Sequence, residues 1–97
     1  MYNIKTKFPL GTIVITSGVS EMIGSDDAFK RICIQCLKRH AKCDWGNLVD
    51  DDKKLNDQAL KNGERVMSVY DIPSHPTIWI ITEADRRCTT ILFPHEY

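Results

Sequence analysis

The sequence predicts an α+β domain, a two-layer sandwich with helices on one face of a mainly antiparallel sheet. Three observations lead to this prediction. Residues 12–16 form a β-branched run typical of a strand, residues 19–62 carry helical patterns, and after Gly63 apolar and polar residues alternate. The order of elements is therefore β-α-α-α-β-β-β, and we expect a single domain over residues 1–97.

The longest apolar helical pattern begins near Ser25, which we expect to cap the helix. A short helical turn precedes it at residues 19–23. A mostly polar helix follows at residues 51–62, with Gly63 as the residue that ends it. The main helix presents an apolar stripe at i, i+3, i+4, i+7, i+8 and i+11, formed by Phe29, Ile32, Cys33, Cys36, Leu37 and His40.

Three strands are predicted in the last third of the sequence. Residues 64–70 alternate, residues 77–82 are apolar on both faces, and residues 88–93 form the last strand. The doubly apolar strand should lie in the middle of the sheet, and short connections predict an antiparallel meander. The two apolar faces also leave open a homodimer through the uncovered side of the sheet.

Charge and hydropathy exclude several classes of protein. The 13 basic and 13 acidic residues cancel, so the chain lacks the field that attracts nucleic acid, and we do not expect a nucleic-acid partner. Residues 1–7 lack the apolar segment of a signal peptide, and the apolar stretches are far shorter than the ~20 residues that span a bilayer. We expect a cytoplasmic protein without a membrane partner, whose cysteines stay reduced.

A cluster of potential metal ligands has the spacing C-x2-C-x3-H-x2-C, formed by Cys33, Cys36, His40 and Cys43. Structural zinc requires four ligands in a tetrahedron. On a continuous helix, Cys33 and His40 are separated by a rise of roughly 10.5 Å, so the site would require a broken helix. We therefore expect core cysteines and neither a metal nor another cofactor. A zinc site and a redox pair of cysteines are the alternatives.

Candidate binding residues occur at two other places. His40 and Asp44 could begin a general acid/base pair, or they could be a helix-end histidine and a turn-capping aspartate. Trp45 is either a plug over the helices or a binding aromatic. The turn after the central strand could contact phosphate or an acidic partner, or could simply be solvated, and its charged residues are Glu83, Asp85, Arg86 and Arg87.

Several short segments of the sequence resemble those of a known family. They include Phe8-Pro9-Leu10-Gly11, Asp44-Trp45-Gly46 and Trp79-Ile80-Ile81-Thr82-Glu83-Ala84-Asp85-Arg86. The chain resembles, over nearly its whole length, the short plasmid-related proteins carried by integrative elements and plasmids of Gram-negative bacteria, sometimes labelled type I restriction enzyme subunits. The resemblance implies accessory cargo of mobile DNA. It includes His40, Asp44, Trp45 and Gly46 but not the cysteines.

We expect a binding or regulatory protein that is not an enzyme and that acts on a host or element-encoded protein. Its contact face would combine His40, Asp44 and Trp45 with the turn at residues 83–87. One alternative is a ribonuclease toxin, because the order of elements is similar to that of the RelE/ParE fold. Its candidate groups would be Arg65, Arg86 and His95, although those toxins are usually strongly basic. Another alternative is a zinc-stabilised nucleic-acid-binding module built on the cysteine cluster.

Overall fold

The chain folds into three helices and a four-stranded mixed sheet, in a computed structural model that describes residues 6–97. The elements are β1 (Thr12–Ile15), α1 (Ser17–Ser25), α2 (Asp27–Ala41), α3 (Asp50–Asn62), β2 (Val66–Tyr70), β3 (Ile78–Thr82) and β4 (Cys88–Leu92), followed by a short 3-10 helix at Pro94–Glu96. The predicted α+β class and element order are confirmed. Residues 1–5, part of the segment in which we expect no signal peptide, lie outside the described residues.

The sheet has the strand order β1-β4-β3-β2. β2, β3 and β4 form the predicted antiparallel meander, and β3 lies inside the sheet, as its two apolar faces indicate. β1 pairs in parallel with β4 and occupies one edge. The helices that follow β1 therefore carry the chain across the sheet before β2 begins at the opposite edge.

The helix ends follow local capping rules with one shift. Asp26, not Ser25, caps α2, because its Oδ1 accepts the Phe29 N–H at 3.0 Å. Ser25 is instead the last residue of α1, which extends further than the sequence pattern indicated. Gly63 ends α3 with φ +69°, the left-handed conformation that favours glycine.

The core lies between the sheet and the helices. α1 contacts β4, α2 contacts β3, and α3 contacts β2. The prediction that Cys33 and Cys36 are core residues is confirmed, since both are buried in the same cluster as Phe29 and Ile80. Within residues 6–97 no helix combines the length and the apolar character needed to cross a membrane.

Candidate functional site

His40 lies in the last turn of α2 and is fully buried. The rings of Phe8 and Trp45 meet its imidazole edge to face, with centroids 5.5 and 5.6 Å away. The amphipathic register of α2 places His40 on the stripe that faces the sheet. His40, which the sequence placed both on the apolar stripe of the helix and in a candidate contact face, is therefore a core residue.

A continuous line of hydrogen bonds connects His40 to three strands. Its Nδ1 lies 2.5 Å from Ser68 Oγ in β2, and its Nε2 lies 2.9 Å from Thr82 Oγ1 in β3. Thr82 Oγ1 is 2.7 Å from Thr89 Oγ1 in β4. Thr89 Oγ1 then donates to the carbonyl oxygen of Leu10 at 2.7 Å. The line therefore crosses the sheet from β2 to the residues that precede β1.

The last acceptor fixes the direction of the hydrogen bonds between Leu10 and His40 Nε2. A carbonyl oxygen only accepts, so Thr89 uses its one hydroxyl proton on Leu10. Thr82 must then donate to Thr89, and His40 Nε2 must donate to Thr82. The geometry thus assigns the His40 ring proton to Nε2. In a neutral ring, Nδ1 is then the acceptor for the Ser68 hydroxyl.

Burial favours the same protonation state. Desolvation, assisted by the positive charge of Arg86, lowers the pKa of His40 from 6.5 to about 4. Both ring nitrogens are occupied and the side chain has no exposed surface. In this conformation His40 cannot exchange a proton with a bound substrate, and its role is to connect α2 to the sheet.

Asp44 is exposed and faces a different group. Its Oδ2 accepts from Arg39 Nε at 2.7 Å, and this hydrogen bond holds the pKa of the Asp44 carboxyl below its usual value. Its Oδ1 accepts the Gly46 N–H at 3.1 Å, and its backbone carbonyl accepts from the Tyr70 hydroxyl at 2.7 Å. The side chain therefore fixes the turn after α2 and makes no hydrogen bond to His40.

Trp45 occupies the plug position that the sequence offered as one of two interpretations. Its side chain is buried, and its indole N–H donates to Asp57 Oδ1 in α3 at 2.9 Å. The ring packs against Phe8 and His40. Trp45 thereby joins the turn after α2 to α3, and both Trp45 and His40 lie beneath the surface. A direct binding role for them stays a prediction.

The turn at residues 83–87 also lies near His40, because the charge of Arg86 acts on the imidazole. Arg86 has φ +59°, and its Nη1 donates to the carbonyl oxygens of Glu64 at 2.8 Å and Glu83 at 3.1 Å. Its guanidinium carbon lies 5.7 Å from the centre of the Phe8 ring, which in turn contacts His40. Phe8 therefore lies between Arg86 and His40. Asp44, by contrast, pairs with Arg39.

Asp85 and Arg87 are on the solvent side of this turn. Their side chains form an exposed ion pair at 3.5 Å, and the Asp85 carboxylate also accepts the Arg87 N–H at 3.0 Å. An exposed pair of this kind adds little stability. Asp85 and Arg87 are exposed, whereas Glu83 is half-buried.

The cysteine cluster does not assemble into a ligand set. No group of three or more histidine, cysteine or acidic residues within residues 6–97 could hold a metal ion. Burial raises the pKa of Cys33 to about 12 and that of Cys36 to about 11, so both remain thiols at neutral pH. Cys43 follows the end of α2 with φ +65° and is half-buried.

The residues that the toxin alternative requires have separate structural contacts. Arg65 Nη2 donates to the Tyr97 hydroxyl at 2.7 Å, and His95 stacks on Phe93 with centroids 5.8 Å apart. Arg86 holds the two carbonyl oxygens described above. None of these contacts builds a shared pocket for a phosphate, and the toxin alternative stays a prediction.

An open groove between α2 and the connection from β2 to β3 was not predicted from the sequence. We call it the α2 groove. It has a volume of about 440 Å³, and it is lined by Ala28, Arg31, Ile32, Gln35, Cys36, Arg39 and Ile72. Arg39 is paired with Asp44, whereas Arg31 is exposed and has no acidic partner within the described residues. The groove therefore combines an apolar floor with one uncompensated positive charge.

The sequence held weak signals for the hydroxyl partners of His40. Ser68 and Thr82 fall at inward positions of their strands, where apolar residues are the rule, and Thr89 faces Thr82 across the ladder. Polar residues at inward strand positions indicate a buried partner. The position of that partner depends on how α2 crosses the sheet, which the sequence pattern does not specify.

The chain matches no protein-family model, no curated protein and no solved structure.

Proposed function

We propose that this protein is a small accessory protein of a mobile genetic element that acts by binding another protein rather than by catalysis. The mobile-element context rests on the resemblance of the Asp44-Trp45-Gly46 and Trp79-to-Arg86 phrases to plasmid-related proteins. The binding role rests on the α2 groove, where an apolar floor lies beside the unpaired charge of Arg31. That pairing of features is the observation that carries the proposal.

The groove favours a particular chemistry of partner. Its length follows α2 from Ala28 to Arg39, about the rise of three helical turns, and its floor is made of Ile32, Cys36 and Ile72. An amphipathic helix can place apolar side chains on such a floor. A carboxylate at the margin of that helix would pair with the Arg31 guanidinium. We therefore infer that the partner presents an acidic amphipathic helix.

The polar groups inside the fold support a binding role more than a catalytic one. Every buried side-chain nitrogen and oxygen among the described residues has a hydrogen-bond partner. His40 is neutral with both nitrogens engaged, and Cys33 and Cys36 are buried thiols. Catalysis by these groups would require an opening of the core.

The test compares two charge reversals on different helices. Arg31→Glu reverses the free charge of the α2 groove, and Lys61→Glu makes the same charge change on the exposed side of α3. Tagged wild-type protein and both variants would be used to capture proteins from a bacterial host lysate. We expect a partner that is retained by Lys61→Glu and lost with Arg31→Glu.

The captured partner, once purified, should bind the wild type at least about 10-fold more tightly than Arg31→Glu in calorimetry. Its binding segment should be an acidic helix. Equal binding by wild type and Arg31→Glu would refute the proposed groove. A partner segment that is basic or extended would refute the proposed chemistry.

A further inference from the structure

Among residues 6–97, no strand pairs with one backbone side of β1. β1 pairs with β4 through the N–H groups of Thr12, which donates to Arg87 O at 2.9 Å, and Thr16, which donates to Ile91 O at 3.2 Å. Alternate residues of a strand direct their backbone groups to opposite sides. Ile13 and Ile15 therefore point their N–H and C=O groups away from β4. We call this side the open edge.

The side chains at the open edge are apolar and accessible. Ile13, Val14 and Ile15 are 42%, 41% and 40% exposed, and Thr12 and Thr16 flank them without a charge or a proline. Soluble proteins usually protect an edge strand with lysine, proline or a bulge, because unpaired backbone groups attract other strands. Neither a lysine nor a proline occurs at residues 12–16, and the register of β1 with β4 is continuous.

An apolar groove runs beside the open edge on the helix side of the sheet. It has a volume of about 190 Å³, and its lining includes Ile13, Ile15, Ile23, Ile34 and Leu37. A strand added to β1 would place side chains next to this groove. The open edge therefore offers both hydrogen bonds and apolar contact to an added strand.

The sequence of the open edge is palindromic. Residues 12–16 read Thr-Ile-Val-Ile-Thr in either direction. An antiparallel second copy, related by a two-fold axis at Val14, places Ile13 opposite Ile15 of that copy and Ile15 opposite its Ile13. These are the residues with free backbone groups, so each pair exchanges two hydrogen bonds. Val14 meets Val14 at the axis in a pair without hydrogen bonds.

We propose that the open edge binds a second copy of this chain, through antiparallel pairing of β1 with β1. Two four-stranded sheets would then form one continuous sheet of eight strands. The same patch serves both copies, so the assembly closes at two and leaves no further open edge of this kind. A ladder this short buries less surface than the about 1,200–2,000 Å² that stable complexes bury. The dimer therefore dissociates on dilution.

Disulfide trapping tests the register directly. In a pair without hydrogen bonds the two Cα atoms are about 4.5 Å apart, which lies within the roughly 4.4–6.8 Å that a disulfide spans. Val14→Cys should therefore form a covalent dimer of twice the 11.1 kDa chain mass under mild oxidation. Leu55→Cys, at an exposed position of α3, is the control and should link no more than the wild type.

Sedimentation of two further variants tests the hydrogen bonds. Ile15→Pro removes an N–H that points away from β4, so the ladder within the chain is kept. We expect its dimer dissociation constant to rise at least about 10-fold, with an unchanged circular dichroism spectrum. If Ile15→Pro loses its fold, Val14→Lys decides, because it places two like charges at the axis without changing the backbone.

The proposal has clear contrary results. A wild-type protein that sediments as a monomer at every concentration, with no Val14→Cys link, overturns it. So does a dimer that persists unchanged in the folded Ile15→Pro or Val14→Lys variant, because another surface would then hold it. The α2 groove lies on the opposite side of α2 from Ile34, so loss of the dimer leaves the capture experiment with Arg31→Glu independent.

Discussion

The two edges of the sheet differ in how many of their outward backbone groups are hydrogen-bonded. At the β2 edge, which we call the closed edge, Val69 N–H donates to Trp45 O at 3.2 Å and Val69 O accepts from Asn47 N–H at 2.6 Å. Asn56 of α3 binds the N–H and C=O groups of Met67 with its side-chain amide. At the open edge, Ile13 and Ile15 have no equivalent cover within the described residues.

This difference shows how a small sheet can limit its own association. The connection between α2 and α3 satisfies the closed edge, and Gly46 lets it approach Val69 closely. A sheet with two open edges could add copies without end, whereas a sheet with one can pair only once. The closed edge therefore determines that association at β1 ends with a dimer.

The largest effect is expected where the closed edge needs a glycine. Gly46 has φ +74°, and a Cβ there would collide with Val69 O and lie 2.7 Å from the Tyr70 ring. Gly46→Ala should lower the free energy of unfolding by about 4 kcal/mol, since it combines strain with a backbone collision. Urea unfolding measures this.

Gly24→Ala is the matched control for that substitution. Gly24 lies within α1, and a Cβ there has no heavy atom within 4 Å. The control should be neutral or stabilising by about 0.5 kcal/mol, because alanine favours a helix over glycine. Equal unfolding free energies for the two variants would show that residues 45–47 do not pack tightly against β2.

Acid should weaken the hydrogen-bond line that joins the closed edge to the rest of the sheet. The pKa of His40 is lowered from 6.5 to about 4, so between these values the unfolded chain binds more protons and stability falls as pH falls. A tenfold difference in proton affinity between the folded and unfolded chain corresponds to about 1.4 kcal/mol of unfolding free energy. The expected loss between neutral pH and the folded-state pKa is therefore about 3 kcal/mol.

Urea unfolding at a series of pH values between neutrality and the folded-state pKa of His40 checks this dependence. His40→Gln is the comparison variant, because it cannot titrate; it should be less stable at neutral pH but should lose much less stability on acidification. The carboxyls of Asp26 and Asp44, whose pKa values are lowered, contribute mainly at more acidic pH. An equal decline in wild type and His40→Gln would contradict the neutral buried assignment.

A smaller effect is expected at Asn56. Asn56→Asp keeps the shape of the side chain but turns the Nδ2 donor, 2.5 Å from Met67 O, into an acceptor. The loss should be about 2 kcal/mol, because a buried carbonyl loses its partner and faces a carboxylate. Gln58→Glu, the same kind of change at an exposed position of α3, should cost almost nothing.

The same two variants test whether α3 helps to cover the closed edge. If Asn56→Asp loosens the closed edge, light scattering should show species larger than a dimer that are absent for Gln58→Glu. A variant that is destabilised yet never exceeds a dimer would mean that residues 45–47 cover the closed edge without help from α3.

Local pattern predicted most of the fold because the local signals agree with the tertiary arrangement. The two apolar faces of β3 indicated its interior position, and Gly63 indicated the end of α3. The cap of α2 was wrong by one residue, since α1 continues through Ser25 and leaves Asp26 as the first extended residue. Such a shift depends on packing of α1, which residue preferences do not report.

The candidate site was less predictable because its contacts are not local. The apolar stripe of α2 indicated that His40 faces the core, but its hydrogen-bond partners could not be read locally, because Ser68 and Thr82 are 28 and 42 residues away. The palindrome at residues 12–16 is visible in the sequence. Its role in pairing depends on the position of β1 at an edge of the sheet, which the strand order β1-β4-β3-β2 gives.

The most direct test of the contrast between the edges is amide hydrogen exchange followed by NMR at several protein concentrations. We predict that Met67 and Val69 amides are protected at all concentrations, because Asn56 and Trp45 accept from them. The Ile13 and Ile15 amides should exchange quickly in dilute protein and slow at least about 10-fold as the dimer forms. Exchange at Ile13 and Ile15 that stays equally fast at every concentration would contradict the pairing of the open edge with a second copy.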